Sequence, residues 1–166
     1  MRGDLIVTPQ VAHFRGRFLP CSIGRSGLIA AGEKREGDGA TPLGRHRILG
    51  LLYRPDRLSR PTPWATPIGP TDLWSDDPAD PAYNSPVRHP HGFSHEKLRR
   101  CDPMYDLILL TDWNYPHAAP GKGSAIFVHT WRAPRRATAG CVAFSRSDLR
   151  WLAGHLMPGA TLIIQR

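Results

Sequence analysis

Cys141 and His129 bracket the stretch of this sequence best suited to chemistry. It runs Gly123-Ser-Ala-Ile-Phe-Val-His129-Thr-Trp-Arg-Ala-Pro-Arg-Arg-Ala-Thr138-Ala-Gly140-Cys141-Val-Ala-Phe144. An apolar run ends in a histidine, a short basic loop follows, and Thr138-Ala139-Gly140-Cys141 opens a second apolar run. Placed side by side in one sheet, the two runs would bring imidazole and thiol face to face. A thiol becomes a useful nucleophile near neutral pH when a base or cation stands beside it. Gly140 permits close backbone approach to a substrate, and the amides around it suit an oxyanion. The bland alternative is a buried structural cysteine, the commoner fate of a free thiol. Spacing alone does not separate the two.

Other residue groups carry weaker chemistry. The cysteines are Cys21, Cys101 and Cys141, an odd count that leaves at least one thiol without an intramolecular partner. No CxxC spacing occurs, so a structural zinc site is not expected. His89, His91 and His95 form HxHxxxH, but no carboxylate or cysteine completes a metal set there. Arg132, Arg135 and Arg136 lie between the candidate base and nucleophile, where forked guanidinium groups suit substrate carboxylates. A solvated loop explains them too. Tyr83, Asn84, Trp113 and Asn114 fall on expected loops, as cleft-lining or as packing residues.

The elements that must position these groups read as short strands. Seventeen prolines and sixteen glycines punctuate brief apolar runs, which favours a mainly β fold over long helices. Leu5 to Val7, Val11 to Phe14 and Arg17 to Ile23 are expected strands, with Arg15-Gly16 as a hairpin turn. Leu28 to Ala31 and His46 to Leu52 follow, separated by a polar loop from Glu33 to Gly44. Residues 54–92 are Pro-rich and aperiodic, and are expected to form an ordered excursion over one face, anchored by Trp64, Trp74 and Tyr83. Ser94 to Arg100 is expected to form a short helix. Tyr105 to Thr111 and Ser124 to His129 read as buried central strands. Ser145 and Asp148 suit a helix N-terminus, Leu149, Leu152 and Leu156 follow at helical spacing, and Pro158-Gly159 ends the helix. Thr161 to Ile164 is the last expected strand. The fold expected is a single sandwich or barrel-like domain over residues 1–166, with one or two short helices.

Composition sets bounds on partners. Lys plus Arg number 22 against 14 Asp plus Glu, a net charge of +8, which favours an anionic partner. Nucleic acid lacks any recognisable reading element here. A carboxylate-bearing polymer is another candidate, and solubility alone also explains the charge. No apolar run approaches the roughly 20 residues needed to span a bilayer, so no stable membrane insertion is expected. The first residues show no secretory signal pattern.

Three segments together resemble the YkuD-type L,D-transpeptidases. The first is His129 with Thr138-Ala139-Gly140-Cys141-Val142, similar to the family's histidine followed by Ser/Thr-His-Gly-Cys. The second is Lys34, Gly37-Asp38-Gly39 and Thr41-Pro42-Leu43-Gly44-Arg45-His46-Arg47-Ile48, similar to its Thr-Pro-x-Gly-x-(aromatic)-x-Ile segment, with His46 at the aromatic position. The third is Asp76 to Asn84, similar to the middle segment of a short, atypical sub-branch. The resemblance implies Cys141 as nucleophile, His129 as general base, Gly140 and the Cys141 amide as oxyanion site, and Thr138 as a positioning residue. It implies peptidoglycan stem peptides as substrate, a periplasmic or cell-envelope location, acylation by carbapenems, and no cofactor. Ala139 departs from the family's second histidine, Ala143 from the Asn or Arg two residues beyond the cysteine, and the interval from His129 to Cys141 is short. These departures leave open whether the product joins diaminopimelate to diaminopimelate or L-alanine to diaminopimelate. A carboxypeptidase or endopeptidase on the same scaffold, and a non-catalytic peptidoglycan-binding module, are the alternatives.

Overall fold

The computed structural model describes residues 3–166. Along the chain come β1 (Leu5–Val7), β2 (Val11–Phe14), β3 (Arg17–Ser22), β4 (Leu28–Ile29), β5 (Thr41–Pro42) and β6 (Gly44–Tyr53). Then follow β7 (Ala65–Pro67), β8 (Asp72–Ser75), β9 (Pro86–Arg88) and β10 (His95–Lys97). A 3-10 turn (Pro103–Tyr105) leads to β11 (Leu107–Thr111), β12 (Phe127–Thr130), β13 (Val142–Phe144), α1 (Arg146–His155) and β14 (Thr161–Ile164).

The main sheet closes on itself. Its strand order is β11-β12-β13-β3-β2-β1-β14-β6-β7, and β11 also pairs with β6. The length of β6 makes closure possible. Its first residues, Gly44 to Arg47, pair with β14, while Ile48 to Tyr53 pair with β11. β7 is a parallel branch on β6 through Leu51 to Tyr53. Closure leaves no free edge in the ring. The β2–β3 hairpin turns at Arg15-Gly16, both at positive φ, as a two-residue turn with the twist of the strands requires.

Alternation along the strands splits the apolar residues between two faces. Val128, Val142, Phe144, Leu107 and Leu109 join the first core, to which α1 adds Leu149, Leu152 and Ala153 and its C-cap adds Leu156. Ser145 caps α1, its hydroxyl accepting from the Asp148 amide at 3.1 Å. The alternate residues Ile108 and Phe127 belong to a second cluster with Ile68, Trp74, Leu98, Tyr105, Ala125 and Cys141. The excursion at 54–92 covers that outer face through β8 and β9, and β10 just beyond it completes their small sheet, in the order β10-β8-β9. Trp74 and Tyr83 are its buried anchors, and Trp64 packs half-buried against the first core. The helix expected over Ser94 to Arg100 is instead strand β10, with Glu96 paired to Trp74. An open edge of β8 captures the segment, and that pairing outweighs a weak local helix preference.

Candidate active site

The parallel pairing of β12 with β13 brings the sequence-predicted pair together. Val128 pairs with Val142, and His129 with Ala143. Cys141 sits immediately before β13, so its side chain points to the same outer face as Phe127 and His129. Ala143, the small residue opposite His129, leaves room for the imidazole. His129 is 2% exposed and Cys141 8%.

A compact turn aims the cysteine. Thr138 Oγ1 accepts from the Gly140 amide at 3.0 Å and donates to the Cys141 carbonyl at 2.6 Å. The Thr138 backbone is itself pinned, its N–H donating to Ile23 and its carbonyl accepting from Arg25. Gly140 has φ +144°, and a Cβ there would lie 3.0 Å from the Ala40 carbonyl oxygen. Only glycine lets these two backbones meet without strain. From the other side, Thr41 Oγ1 donates to the Gly140 carbonyl at 2.7 Å while accepting from the Gly24 amide at 2.8 Å. Thus the Thr41-Pro42 segment and the Gly140-Cys141 segment form one unit.

The sulfur lies against backbone. Cys141 Sγ donates to the Ala125 carbonyl at 3.0 Å and accepts from the Phe127 amide at 3.4 Å. Among the described residues no hydrogen bond joins it to His129. His129 Nδ1 lies 2.8 Å from the Thr130 carbonyl, which can only accept, so Nδ1 carries the proton and Nε2 is the free base. The Tyr105 ring stands edge-on to the imidazole at 5.3 Å between centroids. Burial pushes the Cys141 thiol up to about 12, with the Glu96 carboxyl adding to the rise and Lys34 and the Phe127 amide opposing it. Burial holds His129 down to about 4, against the Thr130 carbonyl that favours its charged form. Thiol and imidazole are therefore both neutral near pH 7.

A pocket of about 90 Å³ opens onto Cys141, lined among others by Lys34, Glu36, Glu96, Ala139 and Gly140. Lys34 is buried and ion-paired with Asp38 at 2.7 Å. Tyr105 donates its hydroxyl to Glu96, and Tyr83 donates to Glu36. Burial raises the Glu96 carboxyl, aided by Asp76 and Glu36.

The YkuD L,D-transpeptidase catalytic-domain model matches residues 10–164. The chain belongs to that family. Two solved structures are also similar: an L,D-transpeptidase from Mycobacterium smegmatis, at 14% identity and TM-score 0.46, and one from Xylanimonas cellulosilytica, at 14% and 0.44. The alignments cover 98% and 99% of this chain but only 59% and 62% of theirs, so it spans about three fifths of their length. No curated protein sequence matches the chain.

Within this L,D-transpeptidase domain the remaining candidates fall in different places. Asn84 is buried wiring: its Oδ1 accepts from Trp74 Nε1 and from the Ala125 amide, both at 2.9 Å, and its Nδ2 donates to the Trp113 and Asn114 carbonyls. It thereby fixes the residue whose carbonyl holds the Cys141 thiol. Tyr83 accepts from the Gly123 amide at 2.9 Å and braces the same segment. Arg132, Arg135 and Arg136 are exposed, and none lines the Cys141 pocket. Arg135 lines a separate cleft with Cys21, Gly24 and Ala137. The Gly140 amide, one of the two named by resemblance, is already engaged by Thr138 Oγ1. Among the described residues, no group of three or more His, Cys, Asp or Glu is arranged to hold a metal, and His91 pairs with Asp80 at 2.7 Å. No helix among them is long and apolar enough to cross a membrane.

Sequence reasoning missed Ala125, Glu36, Glu96 and Tyr105. Ala125 has positive φ in a non-glycine residue, which no sequence pattern announces. Glu96 lies in the segment expected as a helix, and the pairing that makes it part of β10 puts it on the Cys141 pocket.

Proposed function

We propose that this chain is one catalytic domain that crosslinks peptidoglycan stem peptides through a thioester on Cys141, at the cell envelope. The observation carrying this reading is the parallel register that sets Cys141 and His129 on one face, with a pocket opening onto the sulfur. His129 Nε2 takes the thiol proton as Sγ attacks a stem-peptide carbonyl, and hands it to the departing amine. The bond from that carbonyl carbon to nitrogen breaks and a thioester remains. The Cys141 amide faces the developing oxyanion. An acceptor amine then attacks the thioester, forming a new amide and returning the thiol. The Cys141 side chain must first leave the Ala125 carbonyl, and substrate entry supplies that displacement. Thr138 positions the nucleophile's backbone. Exposed Arg132, Arg135 and Arg136, with the net charge of +8, attract the carboxylates of the polymer.

The test is mass spectrometry of muropeptides after incubation with disaccharide tetrapeptides, beside Cys141→Ala. Dimers made only by the wild type support the transpeptidase, and their fragmentation shows whether diaminopimelate or L-alanine supplied the amine. Shortened monomers without dimers make the enzyme a peptidase. No turnover, with retained binding of the polymer, makes it a binding module.

A further inference from the structure

Other carboxylates withdrawn from solvent meet a cation: buried Asp106 meets Arg57 at 2.8 Å, and half-buried Asp38 meets Lys34 at 2.7 Å. Glu96 is different. Its hydrogen-bond partner is the neutral Tyr105 hydroxyl, and no ion pair reaches it among the described residues. Arg100, whose charge it does feel, is committed to Asp102 at 2.6 Å. Lys34 and Arg25 share the pocket; Lys34 spends its ammonium on Asp38 and the Arg35 carbonyl, and Arg25 forms no ion pair with Glu96 among the described residues. Glu36, on the same pocket, is likewise held by a tyrosine hydroxyl rather than a cation. A protein of net charge +8 thus keeps an unmatched carboxyl beside its nucleophile.

The position is rigid. Glu96 pairs with Trp74 across β10 and β8, and Trp74 packs edge-on against Phe127 at 5.0 Å, whose amide contacts Cys141 Sγ. The space of about 90 Å³ beside the sulfur is of the size of a small head group. Its unmatched charge calls for a cation, and the second half of the proposed reaction brings one, since a primary amine arrives as its ammonium.

We propose that Glu96 is the acceptor-binding residue: it holds the ammonium of the incoming acyl acceptor and takes one proton from it beside the Cys141 thioester. This rests on the transpeptidase reading. The freed nitrogen lone pair forms the bond to the thioester carbon, the carbon–sulfur bond breaks, and its electrons stay on sulfur. A second nitrogen proton passes through His129 Nε2 to that sulfur. Thioester plus ammonium gives amide plus thiol plus one proton, which Glu96 returns to solvent. The raised affinity of the empty Glu96 for protons, caused by burial and by Asp76 and Glu36, is relieved when the ammonium enters.

The experiment preloads wild type, Glu96→Gln, Glu96→Asp and Glu36→Gln with the donor tetrapeptide and offers two nucleophiles in competition. One is a diaminopimelate-bearing muropeptide, a cationic amine. The other is hydroxylamine, uncharged near neutral pH. The ratio of crosslink to hydroxamate falls about tenfold or more in Glu96→Gln, as expected for loss of a charge-assisted contact, and recovers in part in Glu96→Asp. Glu36→Gln, which removes a second carboxyl without touching Tyr105, shifts the ratio in the same direction by less. A general loss of structure would lower both products together and leave the ratio fixed. An unchanged ratio in an acylated Glu96→Gln enzyme overturns this role while the transpeptidase stands. Absence of any acyl-enzyme in the wild type overturns both.

Discussion

Thr41 Oγ1 donates to the Gly140 carbonyl at 2.7 Å across 99 residues of sequence, and the same oxygen accepts from the Gly24 amide. One buried hydroxyl thus ties the family's upstream Thr-Pro segment to the turn that carries the nucleophile. Thr41→Val keeps the shape and removes both bonds. It leaves a buried carbonyl and amide unmatched, at about 1–3 kcal/mol each before relaxation. Urea unfolding should show that loss of stability, and acylation of the folded fraction should slow as Cys141 loses its anchor.

Gly140→Ala tests the close approach behind the nucleophile. The new methyl would meet the Ala40 carbonyl at 3.0 Å, at a φ of +144° that suits glycine alone. A cost of about 1–3 kcal/mol is expected from the backbone strain. Thermal unfolding reads the stability, and labelling of Cys141 by an electrophile reads the displaced sulfur. Wild-type behaviour in both would mean that the turn yields more easily than its geometry implies.

The environment of His129 makes a signed pH prediction. Its pKa lies at about 4 in the folded chain against 6.5 when exposed. The unfolded state therefore binds more protons between these values. The stabilising contribution is complete above pH 6.5 and is lost as pH falls toward 4, by roughly 3 kcal/mol in all. His46, also lowered by burial, acts with the same sign. Comparing wild type with His129→Gln by denaturant unfolding at pH 7 and pH 4.5 isolates the His129 share. The variant should lose less stability on acidification, and equal losses would contradict the buried neutral imidazole.

The same burial governs thiol reactivity. With Cys141 and Cys21 both pushed up to about 12, neither is an appreciable thiolate near pH 7. Cys101 is exposed and should be alkylated first by iodoacetamide in the native protein, as peptide mapping would show. Rapid alkylation of Cys141 at pH 7 without substrate would mean a preformed thiolate.

Much of this architecture was legible in local chemistry. The Arg15-Gly16 turn, the Ser145 cap with its leucine stripe, and the apolar runs leading into His129 and out of Cys141 all rest on near-neighbour rules. The three-strand sheet over the outer face was not legible, because β8, β9 and β10 are made by pairing rather than by propensity. The helix expected at Ser94 to Arg100 failed for that reason. Cys141 and His129 stand out in the sequence as a candidate pair, and their roles come from the family resemblance, whereas Asn84 and Glu96 make contacts to Ala125 and Tyr105 that only the folded chain creates.

Intact-mass spectrometry of the protein mixed with a tetrapeptide donor, followed by peptide mapping, tests Cys141 as the residue that carries the acyl group. An acyl adduct on Cys141 is expected, absent in Cys141→Ala and slowed in His129→Ala. Crosslinking without an adduct on Cys141, or with the acyl group on another residue, would contradict it.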